Sequence, residues 1–132
     1  MSTSFGKEYK LCSKLLIDEL FEHGEQLKCY PFFVRYKVSE LDEDVPFQVV
    51  FSAPKKKFKR AHERNRIKRI SREAFRLNKA EFELYLKSQN KQLALFVVYT
   101  APAEISFDEL NKSVRKMQKK LTEILTKNEV SN

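Results

Sequence analysis

The sequence predicts a single small α+β domain of two layers, and three observations predict it. The chain has 132 residues of which 42% are hydrophobic, enough for one core of ordinary size without disulfides or a structural metal. Runs of strand length, rich in aromatic and β-branched residues, fall before residue 54 and again at about 93–100. Segments with helical spacing lie before, between and after them. The predicted order is α-β-β-β-α-β-α, with residues 1–132 one domain and residues 1–4 and 128–132 expected to fray.

Each element follows from local pattern. Leu15, Leu16, Ile17, Leu20 and Phe21 recur at near-helical spacing behind Ser13, a suitable N-cap, and Gly24 stops the helix in the C′ manner, so a helix is expected over 13–23. QLKCY and FFVRYKV read as a short and a longer strand separated by a bend at Pro31. After the acidic turn SELDED, PFQVVFSA reads as a third strand that ends at Pro54 and the triplet Lys55, Lys56, Lys57. A helix is expected from Ala61 to Lys79. LALFVVYT is a continuous apolar run, the mark of a central strand buried on both faces. Ser106 with Glu109 forms a capping box, and Leu110, Val114, Met117, Leu121 and Ile124 form the apolar stripe of a last helix.

Several function classes are disfavoured. There is no apolar run long enough to span a membrane and no secretory signal in MSTSFGKEYK, so a cytoplasmic location is expected. Gly6 and Gly24 are the only glycines, too few for a Walker loop or a dinucleotide-binding turn. Cys12 and Cys29 form no CxxC pattern and are expected to be small buried groups in a reducing compartment. His23 and His62 are far apart and the acids are scattered, so no catalytic or metal-binding constellation is expected in the protein.

The charge is concentrated. The net charge is +8, yet residues 52–79 alone carry twelve basic and two acidic residues, a local +10, while the remainder nets −2. Such a focused field attracts a polyanion; the bland alternative is a solvated helix face. On a helix, Ile67, Ile70, Ala74 and Leu77 share one arc, expected to face the core. Arg64, Lys68, Arg69, Arg72, Arg76 and Lys79 fan over the other side around Asn65. Like charges at 64, 68, 72 and 76 repel by tenths of a kcal/mol each, about 0.2–0.5 per pair, a repulsion that a phosphate partner relieves. Arg predominates, and its planar fork favours nucleic acid over lipid. Phe75 points away from the expected core arc, which suits packing under a loop or insertion into a partner.

Arg64-Asn65-Arg66-Ile67-Lys68-Arg69, followed by Arg72-Glu73 and Phe75-Arg76, resembles the signature of the bacterial ribonuclease P protein component family. Ser52 to Lys57 resembles the strand end and lysines that precede that signature, Lys59 to His62 the approach to it. Phe5, Leu11 and Phe21-Glu22-His23-Gly24 resemble the family's N-terminal helix and its exit. The resemblance covers nearly the whole chain. It implies a ribosomal protein S5 domain 2-like fold in which the basic helix makes a left-handed β-α-β crossover, against the usual hand.

It also implies a function: the accessory protein of a ribonucleoprotein that cleaves the 5′ leader from precursor tRNA. The RNA subunit would perform the hydrolysis, with Mg2+ held mainly by that RNA and the substrate. The protein would be a monomer in a one-protein, one-RNA complex, away from membranes. By resemblance, Arg60, Arg64, Asn65, Arg66, Lys68, Arg69, Arg72 and Arg76 would contact the RNA subunit. Asn65 has the competing role of capping the helix start. Ile17, Phe21, Phe33, Tyr36, Lys56 and Lys57 would form the surface for the single-stranded leader, where aromatic platforms and cations suit unpaired nucleotides. Core packing is the competing role of Phe21 and Phe33. Ile17 stands where some relatives have an aromatic residue, and Cys12 and Ser13 where some have basic ones. The competing function is an unrelated basic RNA-binding module, such as a ribosomal or RNA-chaperone protein; a stand-alone nuclease is the other.

Overall fold

The computed structural model describes residues 5–130, with side chains to residue 127; the two ends expected to fray lie largely outside that range. A 3-10 turn, Lys7–Tyr9, precedes α1 (Lys14–His23), β1 (Glu25–Cys29), β2 (Phe32–Val38), β3 (Phe47–Ser52), α2 (Ala61–Ser88), β4 (Leu93–Tyr99) and α3 (Phe107–Val130). The seven elements appear in the order the sequence predicts.

The four strands form one mixed sheet in the order β1-β2-β4-β3. β1 and β2 make an antiparallel hairpin, β2 pairs antiparallel with β4, and β3 lies parallel to β4. A parallel neighbour cannot be reached by a tight turn, and α2 supplies the long connection from β3 to β4. β4 is central, and Leu93, Ala94, Leu95 and Val97 are fully buried. Its unbroken apolar run follows from cover on both faces: α2 and α3 on one, α1 on the other.

The main core lies under α2 and α3. Phe32, Val34 and Tyr36 from β2 and Phe47, Val49 and Phe51 from β3 meet Ile67, Ala74, Phe75, Phe82 and Leu86 of α2. Phe75 is the centre of an aromatic group, its ring centroid 5.2 Å from Phe47, 5.9 Å from Phe51 and 6.1 Å from Phe82. α3 adds Leu110, Val114, Met117 and Leu121 as predicted, but its last fully seated residue is Leu125; Ile124 is half-buried. Ser106 accepts from the Glu109 N–H at 3.2 Å, one half of the expected capping box.

Five expectations are corrected. The basic helix runs to Ser88 rather than Lys79. Its apolar stripe is therefore decided by Phe82 and Leu86 as well, and the buried side passes through Ile67, Ser71, Ala74 and Phe75 instead of the arc ending at Leu77. Leu77 is 51% exposed and Phe75 wholly buried. Lys79, assigned to the cationic fan, is also buried: its ammonium meets the Glu83 carboxylate at 2.6 Å and lies over the Tyr9 ring at 5.1 Å. Gly24 ends α1, but at φ −73° rather than in a left-handed turn. Glycine is required there by proximity, since a Cβ would stand 2.3 Å from the Leu20 carbonyl oxygen. Cys29 is buried as expected, whereas Cys12, just before the Ser13 cap, is exposed.

The stripe correction yields a stability test. Phe75→Ala should cost about 3–5 kcal/mol in urea unfolding, the range for removing a buried ring. Leu77→Ala should stay within about 0.5 kcal/mol, as surface changes do.

The buried pair yields a pH test. Burial, with the Glu83 carboxylate beside it, pushes the Tyr9 hydroxyl up to about 12 from its ordinary value of 10.0. The folded state thus holds this proton more tightly than the unfolded state, so its contribution is complete below pH 10 and lost as the pH rises toward 12. Chemical denaturation of the protein and of Tyr9→Phe should show a constant stability difference below pH 10. That difference should then shift against the native protein from pH 10 to 12.

Candidate nucleic-acid interface

The interface begins where β3 ends. Pro54 turns the chain, its carbonyl accepting from the N–H groups of Lys57 and Phe58 at 3.2 and 3.1 Å, and leaves Lys55, Lys56 and Lys57 exposed. Phe58 is buried with its ring 5.8 Å from Tyr99, which pins the loop to the end of β4. The Lys57 ammonium donates to the Thr100 carbonyl, so this lysine is tied to the next strand end while Lys56 makes no such bond among the described residues. Arg60 is the N-cap of α2 and gives no side-chain hydrogen bond to its first turn.

The cations of α2 divide by what they already touch. Arg64 donates from Nη1 to the carbonyls of Phe58 and Lys59 at 2.7 and 2.9 Å, bracing the loop that leads into its own helix. Arg66 pairs through Nε with Glu104 at 3.0 Å, joining α2 to the segment before α3. Arg72 lies 4.6 Å over the Phe5 ring and donates to the Phe5 carbonyl at 3.4 Å; burial lowers its guanidinium from the ordinary value. Arg76 forms a two-pronged pair with Glu73. Arg60, Asn65, Lys68 and Arg69 remain exposed, and among the described residues their side chains make no hydrogen bond or ion pair. Asn65 sits in the second turn, because α2 opens at Ala61, and so does not cap the helix. Lys68, Arg69 and Arg72 also line, with Lys10, a groove of about 440 Å³ beside β3.

A second surface lies across the sheet. Side chains alternate along a strand, so Phe33, Arg35 and Lys37 of β2 face away from the main core toward α1. The Arg35 guanidinium lies 5.0 Å from the Phe21 ring centroid and 5.6 Å from that of Phe33, a cation held between two aromatic faces. Phe21, 49% exposed on α1, meets Phe96 of β4 edge-on at 5.0 Å. Lys37 stands 3.9 Å from Glu19, and Ile17 packs half-buried against the small cluster of Leu11, Leu20 and Ala94. The result is a partly open surface between α1 and the sheet, hereafter the cleft, where Phe21, Phe33 and Phe96 surround Arg35.

This geometry brings Phe21 and Phe33 together and separates Tyr36 from them. Tyr36 is three residues from Phe33 on one strand, so it projects from the opposite face, 4% exposed in the main core, and burial raises its hydroxyl from the ordinary value. That removes Tyr36 from the cleft. Arg35 and Phe96 take part in the cleft although neither was expected; Arg35 is two residues from Phe33, which strand alternation alone places beside it. Among the described residues no group of three or more His, Cys, Asp and Glu could hold a metal ion, and no helix is long and apolar enough to cross a membrane.

Comparison with known proteins places this architecture. A family model described as Ribonuclease P matches residues 5–122. The ribonuclease P protein component of Porphyromonas gingivalis is 32% identical over 108 residues, covering 82% of this chain and 77% of the relative. That of Pseudoalteromonas translucida is 32% identical over 120 residues, covering 91% and 79%. Among solved structures, the Staphylococcus aureus RNase P protein matches with a TM-score of 0.67 at 22% identity, over 86% of this chain and 94% of that one. The Thermotoga maritima RNase P protein matches at 0.63 and 20% identity, over 81% and 90%. With its basic α2 and its sheet of four strands, the chain belongs to the Ribonuclease P protein family.

Proposed function

We propose that the chain is the protein component of ribonuclease P, that it binds the RNA subunit through the exposed side of α2, and that it holds the single-stranded 5′ leader of precursor tRNA in the cleft under α1. The observation that carries this reading is the division of cations on α2. Arg60, Lys68 and Arg69, with the neutral Asn65 among them, are presented to solvent without partners among the described residues, while Arg64, Arg66 and Arg72 fix the loop, the α3 approach and the N-terminal segment that frame them. Those three keep their charge and add to the field, but their first role is to hold the surface in shape.

The leader assignment rests on Phe21, Phe33 and Arg35, with Ile17 as an apolar floor and Lys56 and Lys57 at the end of the sheet where the basic loop begins. Alternating rings and a cation accept any base by stacking and neutralise the backbone beside it. The phosphodiester chemistry belongs to the RNA subunit, with magnesium held mainly by that RNA and the substrate. The protein's own contribution is to offset phosphate repulsion around the assembled site, so that less magnesium is needed. One protein per RNA subunit is the stoichiometry we propose, in the cytoplasm.

The test is reconstitution of the full chain with its cognate RNA subunit and precursor tRNA over a magnesium series. Protein with magnesium alone should cleave nothing, and adding it to the RNA subunit should lower the magnesium needed for half-maximal cleavage. Cleavage by rigorously purified protein, or an unchanged magnesium requirement, would overturn the reading. Replacing Lys68 and Arg69 by Ala should weaken binding to the RNA subunit about tenfold and flatten its salt dependence by about two in log–log slope.

The cleft has its own outcome. Phe33→Leu should weaken binding of leader-bearing precursor tRNA to the reconstituted enzyme by about 1–3 kcal/mol if a base stacks on the ring. Leaderless tRNA should bind unchanged. Equal losses for both substrates would reduce Phe33 to a packing residue.

A further inference from the structure

A second concentration of positive charge lies at the opposite edge of the sheet. Residues 111–120 contain Lys112, Arg115, Lys116, Lys119 and Lys120 and no acid. On α3, Lys112, Lys116 and Lys120 recur every fourth residue, so they run along one side of the helix with roughly 6 Å of rise between them. That is the scale of the distance between consecutive phosphates of one strand.

These three lysines line, with Lys28, Cys29 and Tyr30, a shallow pocket of about 240 Å³ where α3 passes the end of β1. The Cys29 thiol donates to the Ser113 carbonyl at 3.6 Å, which joins β1 to α3 at that point. Lys28, Lys112 and Lys116 are exposed and Lys120 is half-buried; among the described residues none of the four pairs with a carboxylate. Tyr30, at the tip of the hairpin between β1 and β2, is 67% exposed. Three lysines in a row on one side of α3, without a carboxylate partner among the described residues, repel one another, and a polyanion would relieve that repulsion.

The chemistry of the patch selects among polyanions. Its cations facing the pocket are all Lys, compact point charges suited to phosphate contact rather than to reading base edges. It has one exposed ring and no stack of rings, unlike the cleft under α1, so a paired backbone fits it better than splayed bases. A lipid surface would need several exposed apolar side chains beside the charge, and Tyr30 stands alone there. The three α3 lysines lie in the same helical layer as α2, on the side of the sheet opposite Phe33, whereas Lys28, paired directly with Phe33, projects from the edge strand on the other face.

We propose that Lys112, Lys116 and Lys120 form a second docking surface, for the phosphate backbone of a base-paired segment of the RNA subunit. The inference rests on the reading above that an RNA subunit is the partner, and it adds a contact that α2 does not make. An RNA held by both surfaces would be gripped at the two edges of one sheet, β3 and β1.

The test compares two variants of the full chain by direct binding to the cognate RNA subunit over a salt series. Lys112→Gln with Lys116→Gln and Lys120→Gln should weaken binding about tenfold at about 0.15 M salt and reduce the log–log salt slope by about two to three. The melting temperature should be unchanged, and binding of isolated precursor tRNA should be unchanged too. The corresponding triple change to Arg keeps the charge and should restore affinity, which separates a lost contact from a lost fold. Unaltered affinity and slope in the Gln variant, while Lys68→Ala with Arg69→Ala still weakens binding, would overturn the second surface and leave the proposed function standing. A loss confined to precursor tRNA would assign the patch to the substrate and equally overturn the proposal. If neither variant alters binding, the proposed role of α2 fails as well.

Discussion

The structure depends on how one long, highly charged helix is held against a sheet. α2 has few apolar residues for its length, and its seat is set by Phe75 among Phe47, Phe51 and Phe82, with Ser71 and Ala74 small enough to allow close approach. Aromatic side chains bury the most area per residue, which lets a narrow stripe anchor a helix whose other sides are cationic. The rotation of α2 about its axis then follows from Phe75, and with it the direction in which Arg60, Asn65, Lys68 and Arg69 project. Phe5 and Tyr9 complete the seat from the N-terminal segment, Tyr9 lying under the ammonium of the Lys79–Glu83 pair within α2. A buried ion pair contributes little net stability by itself, but breaking it leaves an uncompensated charge.

The second constraint is the alternation of side chains along β2 and β4. Both strands bury one set of residues under α2 and α3 and turn the other toward α1. α1 has ten residues and covers only part of that second face, so Phe33, Arg35 and Phe96 stay partly open beside Phe21. An extended strand of nucleic acid needs such a shallow, lined trough, while a structured RNA needs a rigid convex array of charge. The sheet gives each face a different helical cover, which suits the two proposed roles.

Much of this was legible in the sequence. The seven elements follow from period and punctuation: the alternation of FFVRYKV, the unbroken run LALFVVYT between covered faces, and the caps at Ser13 and Ser106. The end of α2 is not legible in the sequence because AEFELYLKS carries no stop signal, and without Phe82 and Leu86 the apolar arc points too far toward Leu77. Parity along β2 was overlooked. Phe33 and Tyr36, three apart, cannot share a face of a strand, whereas Phe33 and Arg35 must. What could not be read was which cations serve the protein itself. That Arg64 reaches back to Phe58 and Lys59, or that Arg72 lies on Phe5, depends on chain paths that meet only in the folded state.

On the proposed function the two faces of the sheet do different work, with unpaired RNA held on the α1 side and structured RNA on the α2 side. Backbone amide chemical shifts of isotopically labelled protein, followed during titration with a short unstructured RNA, test it most directly. The largest changes are expected at Phe21, Phe33, Arg35 and Phe96, with Asn65, Lys68 and Arg69 changing little. Changes centred on Lys68 and Arg69 with the α1 face silent would contradict it.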